Sequence, residues 1–159
     1  MKISIVCVGK INEKYFRDGI EEYKKRLSKY CKLEIVEVAD EKTPDRASEV
    51  EELQIKEKEG SRMEKYLKKD AYKIALAIEG DMLDSVQLSK RIAKLGIDGH
   101  SHIIFVIGGS LGIAPSIMQQ MDYKLSFSKM TIPHQLMRMI LLEQIYRSYR
   151  IISGEPYHK

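Results

Sequence analysis

Ile103-Ile104-Phe105-Val106-Ile107-Gly108-Gly109 is the stretch on which the reading of the fold turns. An unbroken run of β-branched and aromatic residues, halted by paired glycines, reads as a strand buried on both faces. Such a strand belongs inside a parallel sheet, because crossover helices cover both sides of it. Working outward, four more short runs share this character. Residues 3–8 end at Gly9, and residues 33–38 alternate with period two. Residues 74–78 end at Glu79-Gly80, and residues 123–127 form the weakest run. Helical patterns lie between them. Residues 16–30 place Phe16, Ile20, Tyr23 and Leu27 on one stripe. Residues 48–67 are rich in Glu and Lys, and residues 85–95 are expected to stop at Gly96. Residues 114–121 carry Pro115 in the first turn, and a last helix runs from Pro133 to about Ile152. Strands and helices therefore alternate along the whole chain. This predicts an α/β fold: a parallel sheet with helices on both faces, its third and fourth strands at the centre.

Size and composition limit the function classes. The 159 residues suit one domain spanning 1–159, with 43% apolar and 31% charged residues as in soluble globular proteins. No run of ~18 apolar residues predicts a membrane span. Residues 1–6 read as a first strand, not a signal peptide. Cys7 and Cys31 are too few for a disulfide framework and are not spaced for a metal, so no metal is expected. They read as buried thiols in a reducing, cytoplasmic compartment. The net charge of +4 permits a nucleic-acid partner without requiring one.

Ligands of open parallel sheets bind beyond the carboxyl ends of the strands. This directs attention to Gly9-Lys10, Glu79-Gly80-Asp81, Gly108-Gly109-Ser110-Leu111-Gly112 and the segment 128–134. Paired glycines let backbone approach a ligand and offer unhindered N–H donors. The first strand ends in a single glycine, so a dinucleotide-binding fingerprint is missing, and no P-loop motif occurs. Gly108-Gly109-Ser110-Leu111-Gly112 also matches the G-x-S-x-G elbow of hydrolases, with Asp122 and His134 following in order. Against a Ser110 hydrolase, that elbow needs a helix directly behind the serine, and Leu111 to Pro115 delay one.

The last helix and its approach are unusual. Hydroxyls at Ser126, Ser128 and Thr131 precede Pro133, and Ile132 cannot cap, so the first amides of the helix are left open. His134 and Arg138 stand four residues apart on one face. The helix is apolar nearly all round, which suits a central helix or one shared with a second subunit, and we expect a homodimer. Glu143 and Arg147 are spaced as an i,i+4 pair. The tail ends Tyr157-His158-Lys159, which offers stacking, a titratable ring and a cation to RNA.

Several elements taken together resemble a known family. They are Val106-Ile107-Gly108-Gly109, the run Leu125 to His134 with its Ser-x-x-Thr-x-Pro-His core, Arg138, Glu143-Gln144-Ile145-Tyr146-Arg147 and the terminal Tyr157-His158-Lys159. In this order and spacing they resemble the RlmH family, the large-subunit ribosomal RNA pseudouridine N3-methyltransferases of the SPOUT superfamily. The resemblance spans the whole chain. It implies a SPOUT-type fold with a C-terminal trefoil knot, which no sequence pattern reveals. It implies S-adenosyl-L-methionine as cofactor, held by Leu76, Gly108 and the run Phe127, Ser128, Lys129, Met130, Thr131 and Ile132. It implies a homodimer acting on 23S rRNA of the assembled large subunit or 70S ribosome, methylating N3 of a pseudouridine. His134, Arg138, Tyr157 and His158 are the catalytic candidates. Arg147 and Lys159 are the candidates for RNA phosphate contacts. The competing expectations are a non-catalytic ribosome-binding factor on the same fold and the Ser110 hydrolase.

Overall fold

Stiff β-branched side chains favour extended backbone, and their alternation decides which face each residue covers. The computed structural model describes residues 1–159. In chain order it contains β1 (Lys2–Val8), α1 (Lys14–Leu27), β2 (Lys32–Val38), α2 (Glu49–Met63), β3 (Tyr72–Met82), α3 (Ser85–Ile97), β4 (His102–Ile107), α4 (Pro115–Met118), β5 (Tyr123–Ser126) and α5 (His134–Ile152). The strands form one sheet in the order β2-β1-β4-β3-β5. Every pairing is parallel. The α/β architecture expected from the alternation is therefore the one observed. The expected centre is also observed: β4 is the middle strand, flanked by β3 and β1, with β5 and β2 at the edges.

Alternate residues divide the core. Ile3, Ile5, Cys7, Ile103, Phe105 and Ile107 face one side with Ile20 and Leu27 of α1, Leu88, Ile92 and Leu95 of α3, and Leu141, Leu142 and Ile145 of α5. Val6, Val8, Ile104 and Val106 face the other side with Met63 of α2 and Ile117 of α4. Helix α5 lies between α1 and α3. Its broad apolar surface is thus met partly by its own neighbours. Both cysteines are buried free thiols.

Local chemistry accounts for most helix ends. Ser48 and Asp84 cap α2 and α3 with reciprocal bonds to Glu51 and Gln87, satisfying two otherwise open amides at each start. Helix α3 does not stop at Gly96. It runs to Ile97 and turns at Gly99, whose φ of +95° is the left-handed conformation the cap requires. The bonds from Gly99 N–H to Gly96 O and from His100 N–H to Leu95 O complete that cap. Helix α5 begins at His134 with Pro133 as its cap residue, and no side chain closes its first turn. Helix α4 is a single turn, shorter than the periodicity suggests.

Candidate active site in the turns after β3, β4 and β5

The three strand ends enclose a cavity of about 590 Å³, within the range of small-molecule sites. Each wall has a local cause. The ladder between β3 and β5 pairs Leu76 with Leu125 and then Asp81 with the same Leu125, so residues 77–80 leave the sheet and return. Gly80 makes the return possible, because a Cβ there would stand 2.6 Å from the Lys124 carbonyl carbon. Ala77, Ile78 and Glu79 line the cavity from this excursion.

The turn after β4 supplies the second wall. A Cβ on Gly108 would lie 2.5 Å from the Gly112 carbonyl carbon, so only glycine lets the turn close upon itself. Gly112 N–H donates to Gly109 O at 3.0 Å. The amides of Ser110 and Leu111 make no hydrogen bond within the chain. Beneath the turn, buried Glu59 lies against Gly109, and one carboxylate oxygen accepts from Glu41 N–H at 3.0 Å. Burial pushes the Glu59 carboxyl above the usual carboxylate range.

The third wall runs from β5 to α5. Ser126 donates to Ser128 O, and the Ser128 hydroxyl accepts from Met130 N–H, which folds the segment over. The amides of Lys129, Thr131 and Ile132 donate to no group of the chain, nor do those of His134, Gln135 and Leu136 in the open first turn of α5. A set of free backbone donors around an apolar cleft suits a neutral heteroaromatic ligand with hydroxyls and ring nitrogens. The cleft also fits an adenosine-containing cofactor on size.

His134 closes the cavity from α5. Its imidazole Nε2 lies 3.6 Å from the position a Cβ on Gly9 would take. Burial and then the Arg138 guanidinium hold this ring below the ordinary histidine range, against an opposing pull from Asp40. Arg138 does not share the cavity. It is buried behind His134, paired to Glu37 at 2.6 Å and donating to Gly9 O at 3.1 Å.

The remaining candidates sit elsewhere. The tail folds back on the far half of α5, where Tyr157 O–H donates to Glu143 at 2.9 Å. Arg147 donates twice to Glu143, at 3.1 and 2.9 Å. The expected i,i+4 pair is therefore present. Arg147 also lies over the Tyr157 ring and 3.2 Å from His158 Nδ1. Lys159 is exposed. At 1.5 Å per residue, Glu143 and Arg147 stand roughly 14 and 20 Å along α5 from His134. One chain thus brings together Leu76, Gly108, Phe127, Ser128, Met130, Thr131, Ile132 and His134 around the cavity. Lys129 is exposed at the same segment without lining it. Sequence reasoning missed Lys56, which reaches the cavity from α2, and Met118 from α4. Neither has a local motif, since both arrive through tertiary packing. Glu79 had a signal, the polar-glycine stop after the third strand. No cluster of three or more His, Cys, Asp or Glu side chains is placed to hold a metal, and no helix is long and apolar enough to cross a membrane.

Comparison with known proteins agrees with this construction. Residues 1–158 match a family model described as a predicted SPOUT methyltransferase. The curated Ribosomal RNA large subunit methyltransferase H of Bifidobacterium adolescentis is 64% identical over 159 residues, covering all of both chains. The protein of that name from Clostridium novyi is 59% identical, again over all of both chains. Among solved structures, a probable methylase family protein from Haemophilus influenzae superposes with a TM-score of 0.53 at 11% identity, covering 99% of this chain and 70% of that one. That last likeness concerns the fold alone. A parallel sheet with its cleft in the last three strand-end turns, matched end to end by this model, defines a methyltransferase of the SPOUT class. Within the class, the chain belongs to the ribosomal RNA large subunit methyltransferase H family.

Proposed function

We propose that the protein transfers the methyl group of S-adenosyl-L-methionine to N3 of a pseudouridine in 23S rRNA, acting in the cytoplasm on the assembled large subunit or 70S ribosome. The observation that carries this reading is the cleft of open amides around Gly108, which suits an adenosine-bearing ligand. Leu76, Gly108 and the run from Phe127 to Ile132 would hold it. When bound, the sulfonium supplies an electrophilic methyl group. The chain must align the acceptor with it and remove the N3 proton. His134 Nε2 accepts that proton, because burial and Arg138 favour the uncharged ring. The N3 electron pair freed by this transfer would form the new bond to the methyl carbon, and the carbon–sulfur bonding pair would leave with sulfur as a neutral thioether.

Tyr157, His158, Arg147 and Lys159 enter through a second subunit. They lie too far along α5 to reach the cleft of their own chain, whereas an antiparallel partner helix would bring them to it. Half-buried apolar residues of α5 that join neither core cluster, Leu136, Ile140 and Ile151, support such a homodimer. In that position Tyr157 and His158 hold the base, while Arg147 and Lys159 meet phosphates. The C-terminal trefoil knot belongs to the same reading. Its support is the match of residues 1–158 to the SPOUT family model.

The deciding experiment incubates unmodified ribosomes with the protein and methyl-labelled cofactor and maps the modified nucleotide. Label at a pseudouridine N3 supports the reading, and transfer to no RNA position refutes it. A non-catalytic binding factor would bind ribosomes yet show no cofactor affinity by calorimetry. The hydrolase alternative loses its geometry here, since Ser110 makes no hydrogen bond to His134 and α4 starts only at Pro115.

A further inference from the structure

Arg138 is the largest fully buried side chain of the protein. A guanidinium removed from water is strongly unfavourable unless charge and donors are met. Glu37 of β2 accepts from Nη1 at 2.6 Å, and the carbonyls of Val8 and Gly9 accept from Nη2 at 3.4 and 3.1 Å. Glu37 also accepts from Ile11 N–H at 3.2 Å. Arg138 Nε has no partner. The acceptors belong to the carboxyl ends of β1 and β2, and the donor belongs to α5. Two strand ends are thereby tied to the start of one helix. Gly9, held this way, has φ +88° and forms the floor beneath the His134 ring.

We infer that Glu37 and Arg138 are positioning residues: the buried Arg138 guanidinium, tied to the solvent-facing carboxylate of Glu37, seats the His134 imidazole over Gly9 at the mouth of the cavity. The inference rests on the proton-accepting role proposed for His134. Packing alone does not call for this arrangement. A well-packed apolar side chain of similar volume is commonly as stable at such a depth as a buried guanidinium, and it leaves no orphaned Nε. What an apolar pair lacks is a fixed cation beside the ring, which disfavours the imidazolium and keeps the base available near neutral pH. The charges facing His134 are Arg138 on α5, Asp40 after β2, which pulls the other way, and Glu37 behind the guanidinium.

The test uses full-length protein, the His134 ring titration by NMR, cofactor calorimetry, and methylation of unmodified ribosomes across pH. Arg138→Lys keeps the charge but cannot serve three acceptors with a planar fork. It should bind cofactor within about twofold of wild type and leave KM unchanged. Its kcat should fall roughly tenfold to a hundredfold, the scale of a 1 Å misplacement. Arg138→Met should move the His134 midpoint up, carrying the acid limb of the kcat profile with it. Glu37→Gln removes the carboxylate that offsets the guanidinium and should move the midpoint down. A fall in kcat with KM and cofactor affinity unchanged, and an acid limb that tracks the His134 midpoint, are not produced by a merely structural role. Should Arg138→Met fail to fold, Arg138→Lys and Glu37→Gln decide. Wild-type kcat in folded Arg138→Lys, or a His134 titration in folded Glu37→Gln that overlays wild type, overturns the inference. Wild-type kcat in His134→Ala instead overturns the functional reading beneath it.

Discussion

Replacing Gly108 with alanine tests whether the turn after β4 is a rigid wall of the binding site. The added Cβ would stand 2.5 Å from Gly112 carbonyl carbon, 2.6 Å from its oxygen and 2.9 Å from Ile113 nitrogen. Carbon contacts settle near 3.5–4.0 Å, so the backbone at 112–113 must withdraw by about 1 Å. All three neighbours are backbone atoms, and no rotamer change relieves them. Overpacking of this kind costs about 1–3 kcal/mol, at about 2–4 °C of Tm per kcal/mol for a chain of this size. The displaced atoms border the cavity, so the larger effect falls on the ligand. We expect the Kd for S-adenosylmethionine to weaken roughly tenfold to a hundredfold, or about 1.4–2.8 kcal/mol. Gly112→Ala is the internal control. Its φ of +95° penalises alanine, yet nothing lies within 4 Å of the new Cβ. It should lose about 1–2 kcal/mol of stability through backbone strain, with a smaller change in Kd. Calorimetry and thermal melts on the three proteins settle the matter. A Gly108→Ala protein with wild-type Kd and Tm would show that the turn is pliant and that the reasoning about the wall is wrong.

Ser110→Ala should bind cofactor and methylate ribosomes like wild type, since that hydroxyl has no activating histidine; loss of an activated-ester turnover on mutation would reinstate the hydrolase. Glu143→Gln weakens the acceptor shared by Arg147 and Tyr157, so amide hydrogen exchange over residues 157–159 should speed up while the sheet stays protected. Unchanged exchange would mean the tail is held instead by the Tyr146 ring and by the bonds of Arg150 to Glu155 and Pro156. The folded chain also keeps His134 and His102 below the ordinary histidine value near 6.5, chiefly through burial. Their protonation therefore favours the unfolded state. The stability they contribute is whole above that value and is lost as pH falls through it towards the folded-state values. The fall in Tm from pH 7.5 to 5.5 should be shallower in His134→Gln than in wild type, and parallel curves would remove His134 from the account.

The fold was legible because the inner strands announced themselves twice, by β-branched composition and by a glycine stop, whereas β5, Tyr-Lys-Leu-Ser, carries no β-branched residue. Residues 103–107 end at Gly108 and residues 3–8 at Gly9, and both strands close there in the structure. The less legible features depend on partners distant in sequence. Glu79-Gly80 read as a polar stop, yet Asp81 and Met82 rejoin the sheet because Gly80 lets the chain pass close to the Lys124 backbone. Gly96 looked like a helix end, but the left-handed position fell to Gly99, which is equally plausible from spacing.

The site divides along the same line. Turn residues such as Gly108 and Thr131 carry local signals, so the cavity's outline could be drawn from the chain. His134 and Arg138 look alike on a helical wheel, both polar and four residues apart. Only the fold separates them, since α5 meets the ends of β1 and β2 at the level of Arg138 and leaves His134 one turn nearer the opening. A cation that reads as substrate-facing becomes a buried strut, and its influence reaches the cleft through the ring above it. The tail presents the converse case. Tyr157 and His158 invite assignment to the cleft, yet Glu143 and Arg147 anchor them roughly 14–20 Å down the helix from His134. Under the proposed function these two facts are one argument. A single helix carries the proton acceptor at one end and the base-holding tail at the other, so a complete site requires the ends of two such helices, and α5 has to be an interface before it can be a catalytic element.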